Sequence, residues 1–185
     1  MKKNFFAAWL IVGCIFISSA AAQERVDVKA LKETFSLQRH SEGGWFAEIY
    51  TASFKANGRA TAGSIYFLLE KDDVSHFHRL DCDEIWYYHA GCGMKIFLLQ
   101  DGKLEEILLG VDTKKNERPM VVFPAGSIFA AENIDKNDFT FVSCVTTPRF
   151  TYDGFKLVTQ NELKKMYPRL PKKILQMAYE KIPTP

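Results

Sequence analysis

The sequence of 185 residues lacks the short motifs that identify several large classes of enzyme. It has only four cysteines, and none of them has the CxxC spacing of thioredoxin-like redox sites. It contains no glycine-rich phosphate loop and no Gly-x-Ser-x-Gly nucleophile elbow. The residue pattern therefore gives no support to a thioredoxin-like, nucleoside-triphosphatase or serine-hydrolase function.

No apolar run in the sequence is long enough to cross a bilayer, which takes about 20 residues as a helix. The run over residues 5–17 follows two lysines and leads to small residues at Ala20 and Ala22. This layout is typical of a secretory signal, so we expect residues 1–22 to be a signal peptide that is cleaved after Ala22. The protein is then exported, to a periplasm or out of the cell, and it has no membrane span.

A second interpretation of the same segment stays open. Residues 11–14 read Ile-Val-Gly-Cys and resemble a bacterial lipobox, which would place a lipid on Cys14 and hold the protein at a membrane surface. The apolar run continues past Cys14 to Ile17, and this continuation favours the later cleavage site. The residue found at the mature N-terminus distinguishes the two interpretations.

The sequence also lacks a surplus of positive charge. Its 24 Lys and Arg residues face 22 Asp and Glu residues, and removal of residues 1–22 takes away two lysines and no acids. The two signs are then equal. A protein that binds nucleic acid needs excess positive charge to neutralise phosphates, so we expect no nucleic-acid partner.

What the sequence does contain is a series of short strand patterns that begins at Trp45. Apolar and aromatic segments such as WFAEIYT and EIWYYHA alternate with turn pairs such as Asn57-Gly58 and Asp153-Gly154. The clearest hairpin is MKIFLLQDGKLEEILLG, in which Asp101-Gly102 can adopt the positive φ angles of a type I′ turn. Many short strands at regular spacing predict an all-β sandwich or barrel.

Helical patterns are confined to the two ends of the chain. Apolar residues recur at helical spacing over residues 28–35 and again after Gln160. We therefore expect an N-terminal helical segment over residues 23–36, one β domain over residues 37–160, and a C-terminal helical extension over residues 161–185.

One segment, VSHFHRLDCDEIWYYHAG, concentrates the residues that can carry chemistry. On a strand, alternate side chains share a face, so His76 and His78 are expected to point the same way. After a turn, Glu84, Trp86 and Tyr88 share a face of the next strand. If Glu84 faces the histidines, two imidazoles and one carboxylate converge.

These residues resemble the two motifs of the cupin superfamily. The first cupin motif has the pattern HxH, then a glutamate, then a glycine, and it matches His76, His78, Glu84 and Gly91. The second has the pattern PxGxxHxxxN, and it matches Pro124, Gly126 and Asn133. Phe129 stands where the fourth metal ligand of this motif is expected, and a phenyl ring donates no lone pair.

The resemblance is closer to one branch of the superfamily, whose function is uncharacterised. Its hallmarks are an HPEGG segment, a Ser-x-x-His-Arg segment followed by Asp-Glu-Ile-Trp, and a Val-Pro-Ala-Gly segment. This chain matches them at residues 40–44, 75–79, 83–86 and 124–126. It departs from them at Ser41, at Ile128-Phe129, and at residues 147–150, where Thr-Pro-Arg-Phe replaces Ala-Pro-Gly-Phe.

The resemblance implies a double-stranded β-helix, that is, a jelly-roll barrel with short helices at both ends, and commonly a homodimer. It also implies a pocket like those of sugar-nucleotide epimerases and seed-storage cupins. The expected ligand is a small polar, sugar-like molecule. The resemblance implies no established reaction.

Three functional hypotheses follow from the pocket. In the first, acid/base chemistry of the isomerase or epimerase type needs no metal, because histidine titrates near neutral pH. His78 is then the general base, Glu84 fixes the tautomer of its ring, and Tyr66 or Tyr88 donates a proton.

In the second hypothesis, His76, His78 and Glu84 form a facial set for a divalent metal such as Fe, Mn, Ni or Zn. In the third, the pocket binds a ligand without transforming it. The expected contacts of that binding module are apolar walls and polar anchors: Trp86, Tyr88 and Phe129 as walls, and His78, Glu84 and Asn133 as anchors.

Five other polar residues have simpler structural interpretations. His40 and Glu42 lie in the branch hallmark, but Gly43-Gly44 beside them indicates a tight turn whose role is in the backbone. Arg79 is expected to pair with Asp83 across a turn, although at a pocket mouth it could bind an anionic ligand. His89 falls on the face opposite Glu84 and is expected to pack or to lie in a dimer interface.

Overall fold

A computed structural model describes residues 26–183. The predicted signal peptide and Cys14 lie outside the described residues, so export and lipidation stay predictions. The described part of the chain is built mainly of short strands, with α-helices only near its ends, which confirms the all-β prediction. No helix within residues 26–183 is long and apolar enough to span a membrane.

The strands follow one another with short connections. They are β1 (Gln38–Arg39), β2 (Trp45–Thr51), β3 (Lys55–Ala56), β4 (Arg59–Ala60), β5 (Gly63–Glu70), β6 (Val74–Leu80), β7 (Asp83–Gly91), β8 (Met94–Gln100), β9 (Lys103–Leu109), β10 (Met120–Phe123), β11 (Ile128–Asn133), β12 (Phe139–Thr147) and β13 (Phe155–Leu157). The α-helices are α1 (Val28–Thr34), α2 (Gln160–Met166) and α3 (Lys172–Leu175).

Two antiparallel sheets face each other and form the jelly-roll barrel that the resemblance implied. One has six strands in the order β1-β2-β5-β12-β7-β10, and the other has five in the order β13-β6-β11-β8-β9. The strands β3 and β4 form a separate hairpin. The inner faces enclose the main core, which includes Phe67, Trp86, Ile96, Phe123 and Phe129.

The helices cover the outer faces of the two sheets. Apolar residues of α1, including Leu31, pack on Leu68 and Phe141 of the six-stranded sheet. Leu163 of α2 and Ile174 of α3 belong to the cluster on the outer face of the five-stranded sheet. The helices thus bury sheet faces that would otherwise leave large apolar areas in water.

The predicted hairpin between β8 and β9 is confirmed. Asp101 has φ of 51° and Gly102 has φ of 75°, the positive values that a two-residue type I′ turn needs. Paired residues run from Met94 opposite Leu109 to Gln100 opposite Lys103 without a register shift.

A β-bulge interrupts strand β6 where the sequence predicted regular alternation. Phe129 of β11 pairs with His78 and Ala131 pairs with Ser75, so residues 76 and 77 oppose a single residue of β11. The extra residue shifts the phase of alternation. Ser75 and His78 therefore both face the barrel interior. In a strand without a bulge, alternation would place these two side chains on opposite faces.

The capping box at the start of α2 provides a test of local stability. The side chain of Thr159 accepts a hydrogen bond from the main-chain N–H of Glu162, and the carboxylate of Glu162 accepts one from the N–H of Thr159. We expect Thr159→Ala to lower the free energy of unfolding by about 1 kcal/mol in urea denaturation. Thr34→Ala, at an exposed position with no cap, is the control and should change it by less than about 0.5 kcal/mol. Equal losses in the two variants would show that the cap does not stabilise the helix.

Candidate functional site

A cavity of about 310 Å³ opens between the two sheets and is the candidate functional site. Four residues that can ionise converge on its inner part: His40, Glu42, His78 and Glu84. Aromatic side chains, including Phe46, Phe67, Trp86, Phe150 and Tyr152, form much of the remaining wall. A cavity of this size, with apolar walls and a few convergent polar groups, suits a small organic molecule.

The turn over residues 40–44 brings His40 and Glu42 into the cavity. The N–H of Gly43 donates to the carbonyl of His40 at 3.1 Å, and the N–H of His76 in β6 donates to the carbonyl of Glu42 at 2.8 Å. Gly43 has φ of +107°, and a Cβ atom there would lie 2.0 Å from the carbonyl oxygen of Val74. Only glycine allows the turn to lie this close to β6, so the predicted backbone role of the glycine pair is confirmed.

Glu42 is the buried negative group of the site. The hydroxyl of Ser75 donates to Oε1 at 2.9 Å, and Oε2 lies 3.4 Å from both His40 Nδ1 and His78 Nε2. Burial alone would raise the pKa of Glu42, but the charge of His78, together with His40 and Ser75, lowers it to about 2. Glu42 is therefore ionised at neutral pH although it is only 7% exposed.

His78 is held by a main-chain carbonyl and by Glu42. Its Nδ1 lies 2.7 Å from the carbonyl oxygen of His76, which can only accept, so Nδ1 donates. Its Nε2 faces the Glu42 carboxylate, and its ring lies 4.2 Å from that of Phe129, in an edge-on arrangement. The prediction that Glu84 fixes the His78 tautomer was wrong, because the carbonyl of His76 does so.

Glu84 has the opposite electrostatic environment. It is only 6% exposed, and its Oε2 has no hydrogen-bond partner among the described residues. Burial and the negative charge of Glu42 raise the pKa of Glu84 to about 8, although Trp86 and Cys144, which lie beside it, act in the other direction. Glu84 is therefore mostly protonated at neutral pH.

The two carboxyl groups of one cavity thus have well separated pKa values, about 2 for Glu42 and about 8 for Glu84. Paired carboxyl groups whose environments separate their pKa values are a common arrangement for acid/base catalysis. The separation follows from position: Glu42 lies between two imidazoles, and Glu84 lies in an apolar wall near another carboxylate.

The mouth of the cavity is formed by the segment that follows β12. The main-chain carbonyl of Arg149 accepts a hydrogen bond from Arg59 Nε at 2.5 Å. The guanidinium of Arg149 donates through Nε to Glu48 Oε1 at 2.9 Å. Phe150 and Tyr152 lie edge to face, with ring centroids 5.1 Å apart. The mouth therefore combines aromatic faces with polar groups.

His76 does not join the site, because the bulge in β6 turns it away. Its Nδ1 lies 2.8 Å from the carbonyl oxygen of Met177, and its ring lies 3.8 Å from that of Tyr179 in the C-terminal extension. The predicted set of His76, His78 and Glu84 is therefore not assembled. Within residues 26–183, no group of three or more His, Cys, Asp or Glu side chains has an arrangement that could hold a metal ion.

Two predicted tyrosine donors also lie outside the cavity. Tyr66 faces the outer side of the six-stranded sheet and packs on Phe35, with ring centroids 4.7 Å apart. Tyr88 packs against the main core, and its hydroxyl donates to the carbonyl of Gly91 at 2.6 Å. The prediction that either one donates a proton in the pocket was wrong.

Asn133 and Phe129 have structural positions inside the barrel. The Asn133 amide donates to the main-chain carbonyls of Leu69, Lys71 and Asp138, so it joins loops rather than contacting the cavity. Phe129 is buried behind His78 and stacks on Phe123, with centroids 4.0 Å apart. Of the predicted ligand-binding residues, Trp86 does line the cavity.

The predicted pair of Arg79 and Asp83 does not form. Arg79 lies beside Lys156 and Glu162 in a separate surface groove, and Asp83 accepts a hydrogen bond from the N–H of Ala125 at 2.8 Å. Arg79 therefore does not contact a ligand in the cavity. His89 lies on the outer sheet face as expected, where its Nε2 is 2.9 Å from the hydroxyl of Ser143.

Comparisons with known proteins agree with this geometry. The sequence matches a family model described as cupin superfamily (DUF985) over residues 29–158. The structure is similar to that of a protein from Shewanella oneidensis, with a TM-score of 0.78 and 36% identity, over 83% of this chain and 98% of that chain. It is also similar to a hypothetical protein from Leishmania major, with a TM-score of 0.76 and 29% identity, over 84% of this chain and all of that chain (100%).

A more distant likeness shows the fold alone. Oxalate decarboxylase from Bacillus subtilis has a TM-score of 0.53 and 13% identity, over 80% of this chain and 39% of that chain. No curated protein sequence matches the chain.

Sequence reasoning underestimated the turn over residues 40–44 and the segment over residues 148–152. His40 and Glu42 were assigned a backbone context, yet both side chains line the cavity. The signal that could have found them is the concentration of a histidine, an acid and two glycines in a short segment outside the strands.

Proposed function

Because the chain belongs to the cupin superfamily, in its DUF985 family, we propose that the cavity binds a small polar molecule with a carbonyl group and moves a proton on it. The reaction type is that of an isomerase or epimerase, and protein side chains carry the proton. One observation carries this proposal: the buried Glu84 carboxyl has an Oε2 with no hydrogen-bond partner within residues 26–183, and its pKa is raised to about 8.

Glu84 is the proton-transfer group of this proposal. A side chain exchanges protons most efficiently when its pKa lies near the working pH. The ionised form of Glu84, with a pKa of about 8, is a stronger base toward a carbon acid than a carboxylate with an ordinary pKa. The negative charge of Glu42 is one of the causes that keep this pKa high.

His78 supports the site rather than acting as the base. Both of its ring nitrogens already face acceptors, the carbonyl of His76 and the carboxylate of Glu42. With Glu42, whose carboxylate lies 3.4 Å from its Nε2, it lies beside the reacting group. This role replaces the general-base assignment that the sequence suggested for His78.

The proposed ligand is a hydroxylated, sugar-like carbonyl compound. The aromatic rings of Phe46, Phe150 and Tyr152 offer flat apolar faces, and the ionisable groups deeper in the cavity offer hydrogen bonds. Sugar-like molecules have both kinds of surface. The volume of about 310 Å³ suits a molecule of monosaccharide size.

The test is exchange of solvent deuterium into candidate ligands. Purified protein is incubated in D₂O with a panel of aldoses, ketoses and smaller hydroxy ketones, and exchange is followed by NMR. We expect exchange into at least one of these compounds, and Glu84→Gln should slow it at least about 100-fold, because the base is lost. The rate should also rise with pH up to about 8, as the Glu84 carboxylate forms beside Glu42, Trp86 and Cys144.

Glu132→Gln is the matched control for this experiment. Glu132 lies in β11, pairs with Lys136 and does not line the cavity, so its loss should leave the exchange rate unchanged. If no compound in the panel exchanges with the native protein, or if Glu84→Gln exchanges as fast as the native protein does, the proposed reaction is wrong.

A second candidate function is binding without turnover, and the aromatic mouth favours it. Phe150 and Tyr152 can stack on a ligand whether or not a bond is changed. Under this alternative, a sugar-like compound raises the thermal midpoint of unfolding, yet its carbon-bound protons do not exchange.

We also propose export and self-association. Export rests on the signal-like layout of residues 1–22, and N-terminal sequencing of the secreted protein checks it. A mature start at Gln23 supports cleavage after Ala22, whereas a start at a lipid-modified Cys14 supports membrane anchoring. The homodimer implied by the family resemblance is checked by light scattering of the purified protein.

A further inference from the structure

We propose that His40 is a second catalytic residue of this site, whose Nε2–H donates a hydrogen bond to the carbonyl oxygen of an α-hydroxy aldehyde or ketone. This inference rests on the proposed function and deepens it. The proton leaves the carbon next to the carbonyl and passes to Glu84, while His40 stabilises the oxygen on which negative charge develops.

His40 lies in the same cavity as Glu84 and is almost fully enclosed. Its side chain is 7% exposed, and its ring contributes to the cavity wall together with Glu42 and His78. A hydrogen-bond donor in so enclosed a site acts in a medium of low dielectric constant, where its effect on developing charge is larger than in water.

The geometry of the turn determines which ring nitrogen of His40 is left for a ligand. The main-chain N–H of Glu42 lies 3.3 Å from His40 Nδ1, and the Glu42 carboxylate lies 3.4 Å from the same atom. Nδ1 is therefore occupied by Glu42, and the ring nitrogen that can donate to a ligand is Nε2.

That Nε2–H has no partner of its own. Among the described residues, nothing accepts a hydrogen bond from His40 Nε2. The ring cannot turn freely, because Phe46 lies edge-on at 4.7 Å, Phe155 lies edge-on at 5.6 Å, and Tyr152 stacks at 6.2 Å. The aromatic contacts restrict the rotation of this ring, which lines the cavity.

An N–H donor on a ring of restricted rotation suits the oxygen of a carbonyl group during proton abstraction. When the Glu84 carboxylate takes the proton from carbon, the electron pair of the C–H bond forms a C=C bond, and the π pair of the carbonyl moves to oxygen. Return of the proton to the same carbon of the resulting enediolate restores the original carbonyl compound. Return to the former carbonyl carbon gives the isomeric carbonyl compound, with transfer of the hydroxyl proton from one oxygen of the enediolate to the other. No oxidant or reductant is needed, because only protons change place.

The first experiment examines the ring itself by NMR of ¹⁵N-labelled protein. The His40 signals are assigned by comparison with His40→Gln, and we expect a proton at Nε2. Addition of glycolohydroxamate, a planar mimic of an enediolate, should shift the Nε2 signal and its proton. An Nε2 without a proton, or a His40 signal that does not respond to glycolohydroxamate, overturns the inference.

The second experiment compares variants in binding and exchange. His40→Gln should weaken glycolohydroxamate binding at least about tenfold and slow deuterium exchange about 100-fold, as expected for loss of one oxyanion donor. Glu84→Gln should stop exchange but keep most of the hydroxamate affinity. His89→Gln, on the outer face of the barrel, is the control and should change neither.

The two proposals fail in different ways. Exchange that is undetectable in the native protein, with hydroxamate bound through His40, would refute the proposed reaction but not the donor role. Exchange that continues at the native rate in His40→Gln would refute the donor role alone. If His40→Gln does not fold, His40→Asn takes its place, and the NMR result on the native protein decides independently.

Discussion

Replacement of Glu84 by Gln is expected to remove a large pH dependence of stability between about pH 5 and pH 8. In the native chain the pKa of Glu84 rises from 4.5 to about 8, because the carboxyl is buried near the negative charge of Glu42. Between these two values, the folded state holds a proton that the unfolded state has released. Stability therefore falls as pH rises through this window.

The size of this effect follows from linkage between proton binding and folding. Each unit of pKa difference corresponds to about 1.4 kcal/mol, so Glu84 should lower the free energy of unfolding on the order of 4 kcal/mol from pH 5 to pH 8. A group whose pKa is raised by folding contributes most to stability at pH values below its pKa in the unfolded state. This contribution is lost as pH rises through its pKa in the folded state. Gln does not titrate and lacks this loss.

The measurement is urea denaturation of both proteins across this pH range. The difference in free energy of unfolding between Glu84→Gln and the native chain isolates the group, because other titrations cancel to first order. As pH rises, the free energy of unfolding of Glu84→Gln should increase steadily relative to that of the native chain. A difference that stays constant from pH 5 to pH 8 would show that Glu84 keeps an ordinary pKa and would remove the basis of the proposed chemistry.

Replacement of Glu42 by Gln is expected to destabilise the protein by roughly 3 kcal/mol at neutral pH. The change removes the carboxylate that faces both His40 and His78 and leaves the enclosed His78 ring without its negative partner. Removing one member of a buried pair costs more than its net contribution, because the other member stays buried and uncompensated.

The loss of stability in Glu42→Gln should depend on pH in the opposite sense from the contribution of Glu84. The pKa of Glu42 falls from 4.5 to about 2 in the folded state, so its contribution is complete above pH 4.5 and is lost as pH falls toward 2. The difference in stability between Glu42→Gln and the native chain should therefore shrink in acid. The pKa of Glu84 should also fall in this variant, because one of its causes is the charge of Glu42.

Glu48→Gln is the matched control for Glu42→Gln. Glu48 also has a lowered pKa, first through its hydrogen bond with Arg149, but the pair lies at the surface. Water screens such a pair, and we expect a loss below about 1 kcal/mol. If Glu42→Gln costs no more than Glu48→Gln, the buried carboxylate of Glu42 does not hold the site together.

Most of the barrel was predictable because strand formation depends on local features. The alternating segment WFAEIYT became β2 (Trp45–Thr51) with the same limits, and the segment EIWYYHA lies within β7 (Asp83–Gly91). The turn at Asp101-Gly102 formed where two residues that tolerate positive φ stand together. Patterns of this kind involve neighbours in the chain, so the sequence contains them in full.

The candidate site was only partly predictable for the opposite reason. Alternation does bring His78 and Glu84 into one cavity, but it places His76 there as well, and the bulge in β6 turns that residue away. A bulge depends on how two strands pair, and periodicity along one strand does not reveal it. The prediction that Tyr66 points into the pocket was wrong for a similar reason. Its position along β5 did not show which face of the sheet lines the cavity.

By itself, the sequence determined an all-β barrel with helices at its ends, since periodicity, turn residues and composition are properties of the chain alone. Only the tertiary structure decided the chemistry of the cavity. It placed the turn of residues 40–44 against β6, so that Glu42 lies between two imidazoles and near Glu84. The protonation states of these groups depend on distances between residues far apart in the chain, and folding sets those distances.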